Sequence, residues 1–372
     1  MQQGNKEALQ WLNPKTLAKN HPLKLKLSDE DYNRLENRLT DDGLSIDKPK
    51  DMVIDVKSLF GKPLTEMLDV RMLFSCLTDA DFLDTEAHFE GNIKGSLYRE
   101  SGPALDVKKA LHSLEHYMTT NIYGKNDANI IVRDARNALW EMIVKSATME
   151  SGLFTLTAPT GSGKTLAMLK FALEHAAVNN LRRVVLVVPF LSIIEQTALI
   201  YRSVFQEFPE RYVLEHHSLA GLGNESTEND CENAGERARR LLAENWDAPI
   251  IITTNVQLLE SLFSNRPSAC RKLHNLMGSI IMFDEAQTLP QALAVPTLGA
   301  LSHLSKAYHC SVVFATATQP AFDSLHDAVK VFVSAGWQPV EAVPDHARLY
   351  NALRRYEVQW PADDETKVEK AS

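Results

Sequence analysis

The sequence predicts an α/β protein: a parallel sheet covered by helices on both faces, preceded by an all-helical segment. Three observations carry this expectation. From residue 150 to about 316, short apolar runs rich in Val and Ile alternate with helical patterns, as parallel strands joined by crossover helices do. The residues before 150 show helical periodicity without that alternation, which places a boundary between about 100 and 150. At the junction stands Leu153–Thr165, L-F-T-L-T-A-P-T-G-S-G-K-T, where an apolar run breaks into a glycine turn and then a helical pattern.

Taken in order, residues 1 to about 60 are polar and loosely patterned, with Ser28–Leu39 reading as a capped, exposed helix and His21 as a lone surface histidine. Pro63–Phe82 follows as a helix with Leu64, Met67, Leu68, Met72, Leu73 and Leu77 on one face. Asp79 and Asp81 close it. Such a pair fits a metal site, a solvated cap or a salt-bridged helix end, and one of the plain ends is favoured because a metal needs several convergent ligands. Asp106–Met118 and Arg133–Val144 read as further helices around a turn-rich break at Asn121–Asn129. Six strands are expected at Phe154–Thr157, Val184–Val188, Tyr212–Leu214, Pro249–Thr253, Ser279–Phe283 and Ser311–Ala315. Helices are expected at Thr165–His175, Leu191–Phe205, Ala234–Glu244, Val256–Phe263 and Leu298–Ala307. Gly221–Glu236 is acidic and poor in apolar residues, the composition of a mobile surface loop.

Composition narrows the class. With 372 residues, 44% apolar and 23% charged, the chain resembles an ordinary soluble protein with room for two or three domains. A net charge of -9 means that any nucleic-acid binding must come from a local groove. Its four cysteines form no C-x-x-C pair, so no zinc site or disulfide framework is indicated and a reducing cytoplasm fits. The N-terminus has no apolar leader, and no run of about 18 apolar residues suggests a membrane span.

The chemistry is expected at the carboxyl ends of the strands. Gly161 and Gly163 let the backbone curl its N–H groups around phosphate oxygens, and the following helix N-terminus adds partial positive charge. Thr160, Gly161, Ser162, Gly163, Lys164 and Thr165 therefore form a candidate nucleotide loop, with Ala158 where the motif's first glycine normally stands. Lys164 reaches the β- and γ-phosphates and Thr165 ligates magnesium in such a loop. Ser279–Gln287, S-I-I-M-F-D-E-A-Q, is an apolar strand ending in two acids. Read alone it is an acidic helix cap; beside the phosphate loop, Asp284 holds magnesium and Glu285 orients and deprotonates a water, with Gln287 two residues on. Three more strand ends carry polar groups: Ser192 and Gln196, after Pro189 and Phe190; Thr253, Thr254, Asn255 and Gln257; Thr316 and Thr318. Each set alone is a cap or turn. Together on one sheet edge they suit contact with a nucleic-acid backbone.

The order of these motifs resembles motifs I, Ia, Ib, II and III of superfamily 2 helicases. D-E-A-Q replaces the D-E-A-D of the RNA-directed branch, and no glutamine motif precedes the phosphate loop. Over about residues 150 to 325, the phrases G-L-F-T-L-T-A-P-T-G-S-G-K-T-L-A, V-P-F-L-S-I-I-E-Q-T, L-E-H-H-S, I-I-I-T-T-N-V-Q-L-L-E-S-L-F, C-R-K-L-H-N, D-E-A-Q-T-L-P and F-A-T-A-T-Q-P-A-F resemble the CRISPR-associated helicase-nuclease of type I systems, subtype I-C above all. That resemblance implies a RecA-like domain using ATP and Mg2+, acting on single-stranded DNA. It also implies recruitment by the Cascade surveillance complex, and unwinding and degradation of target DNA in antiviral defence. Thr316 and Thr318 would couple the nucleotide to the strand.

The family places an HD nuclease before the motor, so residues 1–104 are expected to be the last, all-helical part of an HD domain. Asp81 is the best match to its final metal-binding aspartate and Asp79 the second. The earlier ligands are not recognisable, so no divalent transition metal should be held as the chain stands. Residues 105–148 are then a helical connector, 149–345 the first RecA-like domain, and 346–372 the start of a connection to a second one. The sequence thus reads as a fragment or one part of a split gene. A nucleotide-binding module without hydrolysis, another superfamily 2 helicase and a P-loop kinase are the alternatives.

Overall fold

The computed structural model describes residues 33, 34, 37, 62–90, 101–123, 130–217, 241–318 and 320–354. His21, the loop expected at Gly221–Glu236, most of the helix expected at Ser28–Leu39 and all but the end of that at Ala234–Glu244 lie outside them. The chain divides into two compact units between Leu59 and Phe60, and the elements below belong to the second.

Helix α1 is Pro63–Glu90, α2 is Val107–Tyr117 and α3 is Ile130–Ala147. Then β1 (Leu153–Thr157), α4 (Lys164–Asn179), β2 (Arg183–Val188), α5 (Leu191–Val204), β3 (Val213–His216), β4 (Ile250–Thr254) and α6 (Asn255–Phe263) alternate. A four-residue helix α7 (Pro267–Cys270) precedes β5 (Ser279–Asp284), α8 (Gln291–Ala307), β6 (Ser311–Thr316), α9 (His326–Lys330), β7 (Val340–Glu341) and α10 (His346–Ala352). All six expected strands form within about two residues of their expected limits. β7 was not expected: two residues carry no readable period.

The strands make one seven-stranded sheet in the order β3-β4-β2-β5-β6-β1-β7, every neighbouring pair parallel. The pleat sends alternate side chains to opposite faces. Val184, Leu186, Val188, Ile250, Ile252, Ile280 and Met282 join one buried cluster with α2, α3, α4, α5 and α10. Val185, Val187, Ile251, Ile281 and Phe283 join another with α1, α6, α8 and Trp337. Strands buried on both faces read as continuous apolar runs, which is why they were visible in the sequence.

Register positions the site. β6 lies between β1 and β5, so Thr157 pairs with Thr316 and Ala315 pairs with Asp284. The loop after β1, the acids after β5 and the threonines after β6 therefore emerge side by side. Ala158 N–H continues the ladder by donating to Thr316 O at 3.2 Å.

The compact unit that holds the sheet also holds α1, α2, α3 and α10. α1 was assigned to a separate segment ending at residue 104, yet it lies in the same compact unit as the sheet and buries Leu68 and Met72 in the second cluster. Its buried stripe is Leu68, Met72, Ser75 and Asp79 rather than the broad face expected: Leu73 and Leu77 are exposed. Asp79 is buried and takes hydrogen bonds from Arg271 Nε at 2.8 Å and Asn245 Nδ2 at 3.0 Å. The supposed connector α2–α3 covers α4, and α10, expected to lead away, buries Leu349 in the same cluster. No described helix is long and apolar enough to cross a membrane.

Candidate nucleotide site and strand-binding edge

β1 delivers the phosphate loop to the sheet edge, and α4 starts at Lys164. Gly161 and Gly163 both take φ +83°, a left-handed conformation that a side chain would strain. Gly163 is the N-cap of α4, so the loop ends with free N–H groups at a helix N-terminus. Ser162 is buried and its hydroxyl has no partner among the described residues.

Across the edge, β5 ends in Asp284, and Glu285 takes φ +51°, turning the chain sharply so that the two acids diverge. Lys164 Nζ meets both, 3.0 Å from Asp284 Oδ1 and 2.6 Å from Glu285 Oε1. Gln287 Nε2 donates to Glu285 Oε2 at 2.7 Å, and the Thr316 hydroxyl donates to Gln287 Oε1 at 2.5 Å. Thr318 N–H donates to Thr316 Oγ1 at 3.1 Å. One hydrogen-bonded chain thus runs from the phosphate loop through both acids to the end of β6. Burial alone would raise the Glu285 pKa, but the hydrogen bonds from Lys164 and Gln287, with the Lys164 charge, hold it below its usual value.

The residues fit magnesium as nucleotide enzymes hold it. Mg2+ prefers one or two protein oxygens with phosphates and waters making up the rest. Thr165 supplies a hydroxyl, and Asp284 Oδ2 carries no hydrogen bond among the described residues. No group of three or more His, Cys, Asp or Glu able to hold a metal ion occurs among the described residues. Asp81 stands exposed on α1, and Asp79, the second candidate for a metal, is spent on Arg271 and Asn245.

The three expected groups lie at this edge, but Thr253, Thr254 and Thr316 are buried there. Phe190, Ser192 and Gln196 are exposed at and beyond the start of α5, with Pro189 half-buried before them. Thr254 caps α6 by accepting Gln257 N–H at 3.2 Å, and Asn255 Nδ2 donates to Thr288 Oγ1 at 3.2 Å. Thr253, however, is fully buried and its hydroxyl donates to His216 O at 2.8 Å, so it braces β3 against β4 instead of facing a strand. Thr316 is likewise buried, while Thr318 is exposed.

Three contributors escaped the sequence reading. Arg136, on α3, crosses over Gly163 and reaches Gly161 O at 3.5 Å. Glu341, on β7, accepts from Thr157 N at 3.1 Å, Thr157 Oγ1 at 2.6 Å and Thr155 Oγ1 at 3.0 Å, fixing the root of the loop. Tyr350 OH donates to Ala317 O. The alternating threonines of β1 were the only readable hint that a polar partner lay beside it.

The DEAD/DEAH box helicase family model matches residues 133–326, more than half of the chain. The chain is 31% identical over 215 residues to the CRISPR-associated nuclease/helicase Cas3 of Haloferax volcanii, a match covering 52% of this chain and 22% of that protein. Among solved structures, T. fusca Cas3 with AMPPNP is similar at 21% identity and TM-score 0.43, covering 67% of this chain and 25% of the other. The Pyrococcus furiosus Hef helicase domain is similar at 20% identity and TM-score 0.36, covering 57% and 39%. The chain thus spans about a fifth of the length of the curated relative it matches. Since the family model spans both the glycine loop on β1 and the acid pair on β5, which Lys164 joins, the chain belongs to the DEAD/DEAH box helicase family.

Proposed function

We propose that this chain is the ATP-driven motor domain of a CRISPR-associated DNA helicase, moving single-stranded DNA for antiviral defence in the cytoplasm. The supporting observation is the continuous linkage Lys164–Glu285–Gln287–Thr316–Thr318. It ties the group that would contact the terminal phosphate to the strand end beside the nucleic-acid edge.

Lys164 is held by Asp284 and Glu285, and a nucleotide's phosphates compete for the same ammonium. Moving Lys164 to the phosphates releases Glu285 to accept a proton from a water, with Gln287 keeping its second oxygen oriented. Magnesium held through Asp284 and Thr165 would neutralise charge on the phosphate oxygens. Because Gln287 also receives the Thr316 hydroxyl, any shift of Glu285 is felt at Thr318. The exposed Phe190, Ser192 and Gln196, with Asn255 and Gln257, then hold a strand by its backbone without reading its bases. In this reading recruitment belongs to a Cascade-type surveillance complex, and cleavage to a nuclease that the motor feeds.

The test is ATP turnover with and without single-stranded DNA, using Lys164→Ala as control. Turnover stimulated by DNA and abolished in the variant is the expected result. Nucleotide binding with no turnover in either condition would assign the chain to a nucleotide-binding module instead. Strand binding should weaken steeply with salt and ignore base order.

A further inference from the structure

Lys272, in the link between α7 and β5, is only 8% exposed, yet its side chain makes no hydrogen bond or ion pair among the described residues. Its stem is buried while the ammonium nitrogen keeps access to solvent, the way a long basic side chain avoids the cost of an uncompensated buried charge. The nearby charged groups are otherwise committed. Arg271 donates to Asp79 at 2.8 Å and to Glu244 at 3.0 Å. Trp246 lies under the Lys272 ammonium, its ring centroid 6.0 Å away. Burial pushes the Lys272 pKa down, with Glu260 and Glu244 offsetting part of the effect and Arg271 adding to it.

The unpaired ammonium lines a cavity of about 330 Å³ together with Glu260, Ser264, Arg266, Ser268 and Ala269. Arg266 likewise forms no side-chain ion pair among the described residues, and its backbone N–H donates to Ser264 Oγ at 3.2 Å. Glu260 is the one carboxylate at the cavity. Gln257 Nε2 donates to its Oε2 at 3.3 Å, linking it to the preceding turn of α6.

We propose that this cavity is a subsite for a backbone phosphate of single-stranded DNA, with Lys272 and Arg266 supplying charge and Ser264 and Ser268 supplying hydroxyls. The assignment rests on the reading of the α6 edge as a strand track and extends it. Gln257, at the edge, and Glu260, at the cavity, are about one helical turn apart, roughly 5 Å along α6. Two cations and two hydroxyls recognise a phosphodiester and carry no base-reading pattern. Glu260 opposes the anion and limits its affinity, as suits a track that must release each phosphate in turn.

Three variants of the full chain test this. Lys272→Met keeps the apolar stem and removes the charge, Arg266→Ala removes the charge at an exposed position, and Glu260→Gln removes the opposing carboxylate. Oligodeoxynucleotide binding is measured by anisotropy across a salt series. The expected slope of log affinity against log salt becomes shallower by roughly 0.7 for each cation lost, equally for all base orders. Glu260→Gln tightens binding. Lys272→Met also melts at the same or a higher temperature, since the ammonium has no hydrogen bond or ion pair to lose among the described residues; a purely structural lysine would melt lower. Strand binding with unchanged slopes in both cation variants overturns the subsite while leaving the track. A wild-type chain that binds no strand overturns both. A Lys272 side-chain NMR signal that moves with inorganic phosphate but not with an oligonucleotide overturns the DNA assignment in favour of free phosphate.

Discussion

Gln287 makes two hydrogen bonds that point in opposite directions along the site, one to Glu285 and one from Thr316. Replacing it by alanine removes the link between Glu285 and Thr316 while leaving Lys164, Thr165 and Asp284 in place. The expected outcome for Gln287→Ala is nucleotide affinity within about twofold of wild type and DNA-stimulated turnover lower by on the order of 10²-fold, the scale of a misplaced catalytic group. Equilibrium binding of a fluorescent nucleotide and steady-state turnover with and without DNA separate the two effects. If both fall together, Gln287 is part of the nucleotide pocket itself. At this scale the site was readable wherever its residues adjoin a motif: Lys164, Asp284, Glu285 and Gln287 sit within two short phrases. Arg136 and Glu341 were not readable, because each acts on the loop from 25 or more residues away in sequence and neither has a distinctive neighbour pattern.

α1 begins where its period predicts but runs to Glu90, eight residues past the expected end at Phe82. Its helical period was plain, but seven or more apolar side chains spread round the helix hid which stripe is buried. The polar anchors decided it: Ser75 Oγ donates to Cys270 O at 2.6 Å, and Asp79 receives Arg271. Of the two plain readings of this helix stretch, a solvated cap or a salt-bridged end, Asp79 takes the salt-bridged one, and its partners Asn245 and Arg271 could not be named because they lie far along the chain. The pair also makes a stability prediction. Asp79→Ala leaves Arg271 buried with only Glu244 and should cost about 3–5 kcal/mol, the range for a broken buried pair. Asp79→Leu with Arg271→Met should recover much of that loss. Denaturant midpoints of the single and double variants check both, and equal losses would mean that the pair does not hold α1 in place.

Over the molecule, burial lowers the pKa of three histidines among the described residues, and this contributes to the pH response. Burial lowers the pKa of His175, His216 and His274, that of His216 to about 3, where Trp246 Nε1 also donates to Nδ1 at 3.1 Å. The unfolded chain takes up protons near pH 6.5 that the folded chain refuses. Their stabilisation is therefore complete above about pH 6.5 and is lost as pH falls below it, for His216 progressively toward about 3. His216→Gln should flatten the fall of the denaturation midpoint over that window; an unchanged profile would remove His216 as a contributor. The sheet itself was legible because parallel strands buried on both faces write themselves as Val- and Ile-rich runs. Strand order was not, since nothing in a run of apolar residues says which neighbour it pairs with.

That order has a consequence during synthesis. β1 is bordered only by β6 and β7, so Leu153 cannot meet its partner Val312 until the chain has grown 159 residues further. At ribosomal speeds of roughly 5–20 residues per second, the strand carrying the phosphate loop waits on the order of 10–30 s with both edges open. A nascent chain released before β6 emerges would present the glycine loop without a scaffold, and it is a natural client for a chaperone that shields lone strands.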